Sequence, residues 1–206
     1  MQITVNPNNP DDRQIASVVS LIRNGGVVIM PTDTIYALVC DIYNPKAIDR
    51  ICRIKNVRLE RSNLSFLCSS LTNISKFTRP FDRNTYKLLN RALPGPYTFI
   101  LAAGSEVPSI FRSKKKTIGI RIPDNKIVQA VVEEVGNPLM STSLHNDDSI
   151  TEYPTDPYDI YTTFGKDVDC VVDGGSGHHV GSTVIDCTGA QPEVIRVGAG
   201  DISILE

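Results

Sequence analysis

Three consecutive hydroxyl residues, Ser141-Thr142-Ser143, follow a turn-forming Gly136-Asn137-Pro138 and a short apolar stretch. Leu144, His145 and Asn146 come next. A strand that ends in small hydroxyls offers hydrogen-bond donors and acceptors beside backbone amides, which suits a phosphate or a carboxylate. Cations are the second requirement. The densest run of them is Arg50-Ile51-Cys52-Arg53-Ile54-Lys55-Asn56-Val57-Arg58-Leu59-Glu60-Arg61, with five cations and one anion. The helix dipole favours cations near a helix C-terminus, so a solvated helix end would account for the run. The alternative is that Lys55 binds phosphate as a point charge and Arg58 as a bidentate fork. Arg112-Ser113-Lys114-Lys115-Lys116 is a second basic cluster, either simply solvated or set against a nucleic-acid backbone.

Two loops add to the inventory. Pro31-Thr32-Asp33-Thr34-Ile35-Tyr36 follows an apolar strand, a common place for ligands in open α/β sheets, though Asp33 could equally satisfy the amides of a turn. The segment from Asp173 to Thr183 is glycine-rich, but it lacks the Gly-Lys-Ser/Thr ending of a P-loop and the spacing of a dinucleotide fingerprint. His145, His178 and His179 have no metal-ligand spacing with the cysteines, so no protein-ligated metal is expected.

The elements that must position these residues can be read from periodicity. Ile15, Val18, Val19 and Ile22 recur at helical spacing, with Asn9-Pro10 as cap and first-turn proline. Val27 to Met30 reads as a buried strand. Asn44-Pro45 opens a second helix with Ile48, Ile51, Cys52 and Ile54 on its inner side. Leu64 to Cys68 reads as a strand, and a helix begins near Asp82. Strands follow at Tyr97 to Leu101 and Thr117 to Ile122, then a helix capped by Asp124 that carries Ile127, Val131 and Val135. Late strands are expected at Asp169 to Asp173, Thr183 to Asp186 and Val194 to Arg196. Asn146 to Pro157 is polar and reads as a mobile loop. The pattern predicts an α/β fold with a mixed sheet, with residues 1–206 as a single domain.

Composition sets outer limits. Of the 206 residues 41% are hydrophobic, enough for a core, and the net charge is -2, so nucleic-acid contact requires a local patch. The five cysteines (Cys40, Cys52, Cys68, Cys170 and Cys187) form no CxxC and mostly sit in apolar runs, as buried thiols of a reducing compartment would. No signal peptide or membrane span is visible, and a cytoplasmic protein is expected.

In order, several segments resemble the YrdC family. They are Pro31-Thr32-Asp33-Thr34-Ile35-Tyr36, the Lys55/Arg58 region, Pro94-Gly95-Pro96-Tyr97-Thr98-Phe99, Ile118-Gly119-Ile120-Arg121, Pro138 to Ser143, Ser182-Thr183-Val184-Ile185-Asp186 and Arg196-Val197-Gly198. Arg50 to Ile54 and Ser141-Thr142-Ser143-Leu144 draw the likeness toward its YciO branch. The resemblance implies a twisted open mixed sheet with a large concave, positively charged cavity. Active members make L-threonylcarbamoyladenylate from ATP, bicarbonate and L-threonine, for the threonylcarbamoyl modification of adenosine in tRNA. The fold is also associated with nucleotides and double-stranded RNA.

By that resemblance, Lys55, Arg58 and Ser143 would be catalytic. Ser141, Arg121, Ser182, Arg196 and His145 would hold nucleotide and phosphates, and Thr32, Thr34 and Tyr36 would border the amino-acid pocket. Arg61, Lys114, Lys115 and Lys116 would meet RNA. Magnesium would accompany the nucleotide. Two departures stand out. Active members carry Lys-x-Arg where this chain has Lys55-Asn56-Val57-Arg58, and Ser-x-Asn where it has Ser143-Leu144-His145. A one-residue slip on an extended chain reverses side-chain direction, so Asn146 does not replace the asparagine without a bulge. The resemblance therefore implies nucleotide and RNA binding with weak, altered or absent synthase activity. A fully active synthase is one alternative, and a hydrolase using His145 beside Ser143 as proton carrier is another.

Overall fold

Helices begin where a side-chain oxygen replaces the missing preceding turn. In the computed structural model, which describes residues 1–59, 64–111, 116–145 and 153–205, this happens six times. Asp11 accepts from the amides of Arg13 and Gln14 and starts α1 (Asp12–Arg23). The cap therefore lies beyond the expected Asn9-Pro10, because the Asp11 carboxylate answers two first-turn amides at once. Asn44 caps α2 (Pro45–Ile54), Ser70 caps α3 (Leu71–Phe77) and Asp82 caps α4 (Arg83–Ala92). Asn125, rather than Asp124, caps α5 (Lys126–Val135); the Asp124 amide instead donates to Asp33 Oδ2. Asp156 caps α6 (Pro157–Phe164). Periodicity did not reveal α3 or α6, each too short to repeat an apolar stripe. Of the loop expected at 146–157, residues 146–152 lie outside the described residues and 153–156 lead into α6.

The strands are β1 (Gln2–Thr4), β2 (Val28–Met30), β3 (Ala37–Asp41), β4 (Ser65–Leu67), β5 (Tyr97–Ala102), β6 (Thr117–Arg121), β7 (Leu139–Ser143), β8 (Cys170–Asp173), β9 (Thr183–Asp186) and β10 (Glu193–Arg196). They form one mixed sheet in the order β1-β8-β2-β3-β7-β4-β6-β5-β9-β10. The α/β open-sheet expectation holds.

Alternation along each strand gives the faces separate tasks. One face carries Leu38, Met140, Phe66, Ile120, Phe99 and Ile185 into a core shared with Ile48 and Ile51 of α2, Ile74 of α3 and Leu89 of α4. Burying each such side chain stabilises by about 1.5–3 kcal/mol. Phe66 anchors this core edge-on to Phe77 and Phe111, at ring distances of 6.1 and 5.1 Å. Truncating it to alanine would cost about 3–5 kcal/mol. On the other face, Val28, Met30, Val39, Leu67 and Leu139 pack under α1 and α5. Further along that second face the residues change to serine, threonine, glycine and arginine. There the sheet is the floor of a cavity.

No disulfide joins the five cysteines, all of which lie among the described residues; Cys40, Cys52, Cys68 and Cys170 are buried and Cys187 is half-buried. Among the described residues no helix is long and apolar enough to cross a membrane.

Candidate functional site

The cavity has a volume of ≈ 610 Å³. Strand register explains its floor. Ser141 of β7 pairs with Ser65 of β4, Ser65 with Gly119 of β6, Gly119 with Ile100 of β5, and Ile100 with Asp186 of β9. Paired residues point to the same face, so this row lies across the floor. Moving two residues along a strand keeps that face and adds Ser143, Arg121, Thr98 and Val184. Leu59, Leu64, Ile110 and Phe111 give the cavity an apolar wall.

Arg121 is held from behind by the loop before β3. Its Nη2 donates to Asp33 Oδ1 at 2.8 Å and to Thr34 Oγ1 at 2.9 Å. Only 7% of either side chain of the Arg121–Asp33 pair is exposed. Burial pulls the Arg121 pKa down from its ordinary value, the Asp33 charge opposes this, and Arg196 adds like-charge repulsion. Its Nε is buried without a hydrogen-bond partner among the described residues.

Thr32, Thr34 and Tyr36 are buried and do not line the cavity. Thr32 Oγ1 donates to the Ile35 carbonyl and accepts from the Thr34 amide, which shapes the turn that presents Asp33 and Thr34 to Arg121. Tyr36 donates to the Gly175 carbonyl at 2.7 Å. Its pKa is pushed up to about 12, mainly by burial; the Gly174 amide opposes this, and Asp173 and Asp156 add to it. The glycine-rich segment closes over this loop: the His178 amide donates to the Thr34 carbonyl, and a Cβ on Gly177 would lie 2.8 Å from the Tyr36 ring.

Lys55 caps the C-terminus of α2 and is 6% exposed. It reaches the end of β7, where Nζ lies 3.0 Å from Thr142 Oγ1, 2.8 Å from the Ser143 carbonyl, 3.1 Å from Ser143 Oγ and 2.6 Å from the His145 carbonyl. It does not line the cavity; Ser143 stands between. Ser143 Oγ in turn donates to the His145 carbonyl at 3.1 Å. Asn56 then adopts a left-handed φ of 49°, and the chain turns outward. Exposed Arg58 consequently faces a second hollow with Asp49, Arg53 and Asn56. Leu59 and Ile110 form the wall common to both hollows. Lys55 and Arg58, read together in sequence, do not converge.

At the far side, Arg196 of β10 lines the cavity and donates to the Ser182 carbonyl at 2.9 Å. Ser182 Oγ and Thr98 Oγ1 lie 2.7 Å apart. The His145 ring packs on Tyr153, with centroids 5.5 Å apart, and Tyr153 lines the cavity. Thus Ser141, Ser143, Arg121, Ser182 and Arg196 share one concave surface, whereas Lys55, Arg58, Thr32, Thr34, Tyr36 and His145 surround it or face elsewhere. Arg61, Lys114 and Lys115 lie outside the described residues, and Lys116 is exposed.

Sequence reasoning missed Ser65, Thr98, Asp186 and Tyr153 as cavity residues. The available signal was the two-residue period through Ser65-Phe66-Leu67 and Thr98-Phe99-Ile100, once a serine or threonine is put on the ligand face. Among the described residues no three histidines, cysteines or acids gather as a metal cage.

Residues 20–198 match the Sua5_yciO_yrdC family model, described as telomere recombination. YciO of Escherichia coli K12 is 40% identical over 200 residues, covering 96% of this chain and 95% of that protein. The crystal structure of E. coli YciO aligns with a TM-score of 0.93 at 37% identity, over 100% of this chain and 99% of that one. The structure of Pyrococcus abyssi Sua5 complexed with L-threonine aligns with a TM-score of 0.87 at 26% identity, over 96% of this chain and 57% of that one. A threonylcarbamoyl-AMP synthase of Pyrococcus abyssi is likewise 26% identical over 197 residues.

Proposed function

The chain belongs to the Sua5/YciO/YrdC family, and from that premise we propose that its cavity binds a nucleotide and runs the threonylcarbamoyladenylate synthase reaction weakly. The observation that carries this reading is the engagement of Lys55. Making threonylcarbamoyladenylate requires the threonine nitrogen to bond the bicarbonate carbon, with an N–H proton and a bicarbonate hydroxyl leaving as water, to give an N-carboxylate (carbamate). A carbamate oxygen then attacks the α-phosphorus of ATP, and the bond to the β-phosphate breaks as pyrophosphate leaves. Negative charge grows on the leaving group, so fixed cations and donors along its path set the rate.

An ammonium has three N–H donors. Lys55 Nζ already has four oxygens of β7 and the residues after it within hydrogen-bond distance. To follow a departing phosphate it must abandon buried carbonyls, each costing about 1–3 kcal/mol to leave unmet. Arg121 and Arg196 remain as the arginines of the cavity lining, which supports anion binding. Magnesium would arrive with the nucleotide, and Asp186 is the carboxylate of the lining that could face it.

Pyrophosphate release with ATP, bicarbonate and L-threonine tests the reading, run beside the Pyrococcus abyssi synthase. The expected result is saturable ATP binding by calorimetry with release at least about tenfold slower, the equivalent of roughly 1.4 kcal/mol in barrier. Release at the synthase's rate would overturn the weakened reaction, and absence of ATP binding would overturn the nucleotide site.

A further inference from the structure

Arg196 has little of its own strand to hold it. β10 is four residues long, lies at the edge of the sheet and pairs with β9. Its register slips between Val194 and Arg196, so that Ile195 and Arg196, although adjacent in sequence, both line the cavity. The Arg196 charge is also near enough to Arg121 to repel it. A guanidinium on a short, irregular edge strand, facing a like charge, needs an outside brace to stay at the cavity.

The brace is the chain that follows. Beyond Arg196 it folds back on β9 and β5: the Ala199 amide donates to the Gly181 carbonyl at 2.8 Å, and the Tyr97 hydroxyl donates to the Asp201 carbonyl at 3.1 Å. Between those two points a single hydroxyl closes the turn. Thr183 Oγ1 accepts from the Gly198 amide at 2.9 Å and donates to the Gly200 carbonyl at 2.6 Å. The turn has no slack, since a Cβ on Gly200 would lie 2.4 Å from the Tyr97 ring. Thr183 is 0% exposed; its neighbours Ser182 and Val184 line the cavity and it does not, as strand alternation requires. It is therefore out of reach of a ligand. One residue away, however, the Ser182 carbonyl accepts from Arg196 Nη2 at 2.9 Å.

We infer that Thr183 is a positioning residue for Arg196: its hydroxyl ties the turn from Gly198 to Gly200 onto β9 and thereby aims the guanidinium into the cavity. The hydroxyl gives its one proton to one end of the turn and accepts from the other. Valine, of nearly the same shape, would release both ends together. Serine would keep both bonds and lose only the methyl. The consequence for a ligand rests on the nucleotide reading of this cavity; the brace itself does not.

Calorimetry with ATP on the full chain, run beside thermal unfolding, separates positioning from packing. Thr183→Val should weaken ATP binding about tenfold, whereas Thr183→Ser, which loses a buried methyl, should lower the Tm and still bind ATP within about twofold of the wild type. A folded Thr183→Val that binds like the wild type, or a Thr183→Ser as weak as Thr183→Val, overturns the inference. Nitrogen-15 relaxation of the Arg196 Nε–H group needs neither ATP nor a variant that folds. In the wild type it should be as rigid as that of buried Arg121, and the mobility of exposed Arg83 there would overturn the brace. If the wild type fails to bind ATP, the nucleotide reading falls and the relaxation of Arg196 still decides the brace by itself.

Discussion

The Nζ of Lys55 stands 2.6 Å from the carbonyl oxygen of His145, so a lysine at the end of one helix closes off the end of a strand across a separation of 90 residues in sequence. That contact ties the basic run to the hydroxyl strand. It makes Lys55 a positioning residue for Ser143, with consequences that can be measured.

Lys55→Met keeps the length of the side chain and removes its donors. The Ser143 and His145 carbonyls lose a charged partner, and the fold should weaken by roughly 3 kcal/mol. Urea unfolding would show a lower midpoint with an unchanged slope. A variant as stable as the wild type would mean that the contact contributes nothing.

Asp33→Asn should be among the more damaging single changes. It leaves Arg121 charged in a site where only 7% of the side chain is exposed, and breaking such a pair costs about 3–5 kcal/mol. Removing both charges with Asp33→Asn and Arg121→Met should cost less than the sum of the single changes. A double-mutant cycle measures the difference, and additivity would argue against the coupling.

Tyr36 links stability to alkaline pH. Its folded pKa, about 12, lies above the ordinary tyrosine value near 10. The folded chain keeps the neutral phenol after the unfolded chain has ionised. This contribution is whole below about pH 10 and is lost as pH rises toward 12. Phenolate absorbance should show one tyrosine titrating late, and Tyr36→Phe should abolish that step while costing about 1 kcal/mol at neutral pH.

Gly198→Ala probes the β10 side of the cavity. A Cβ there would lie 2.3 Å from the Gly181 carbonyl oxygen and 2.5 Å from that of Ser182. The backbone would have to move apart beside Ser182 and Arg196. The expected cost is about 1–3 kcal/mol, read as a lower Tm, with faster hydrogen exchange at the Gly198 amide that now donates to Thr183 Oγ1.

The helices at Asn44 and Asp82 and the strands at Tyr97, Thr117 and Thr183 were legible in sequence because capping and alternation are local. Asn9-Pro10 misled because caps compete over a few residues, and the Asp11 carboxylate won. α3 and α6 stayed hidden because a helix of two turns repeats its apolar face too few times.

The sequence alone determined the family, the hydroxyl strand, the cations and the strands that carry them. Which of these meet was decided by the tertiary structure. Ser65 and Ser141 touch because the sheet sets β4 between β7 and β6, and no local pattern encodes strand order. Lys55 and Arg58 part because the backbone at Asn56 turns left-handed, sending one cation to buried carbonyls and the other to the surface. Residue types fix what chemistry is available; register, strand order and one backbone angle choose which residues face the cavity.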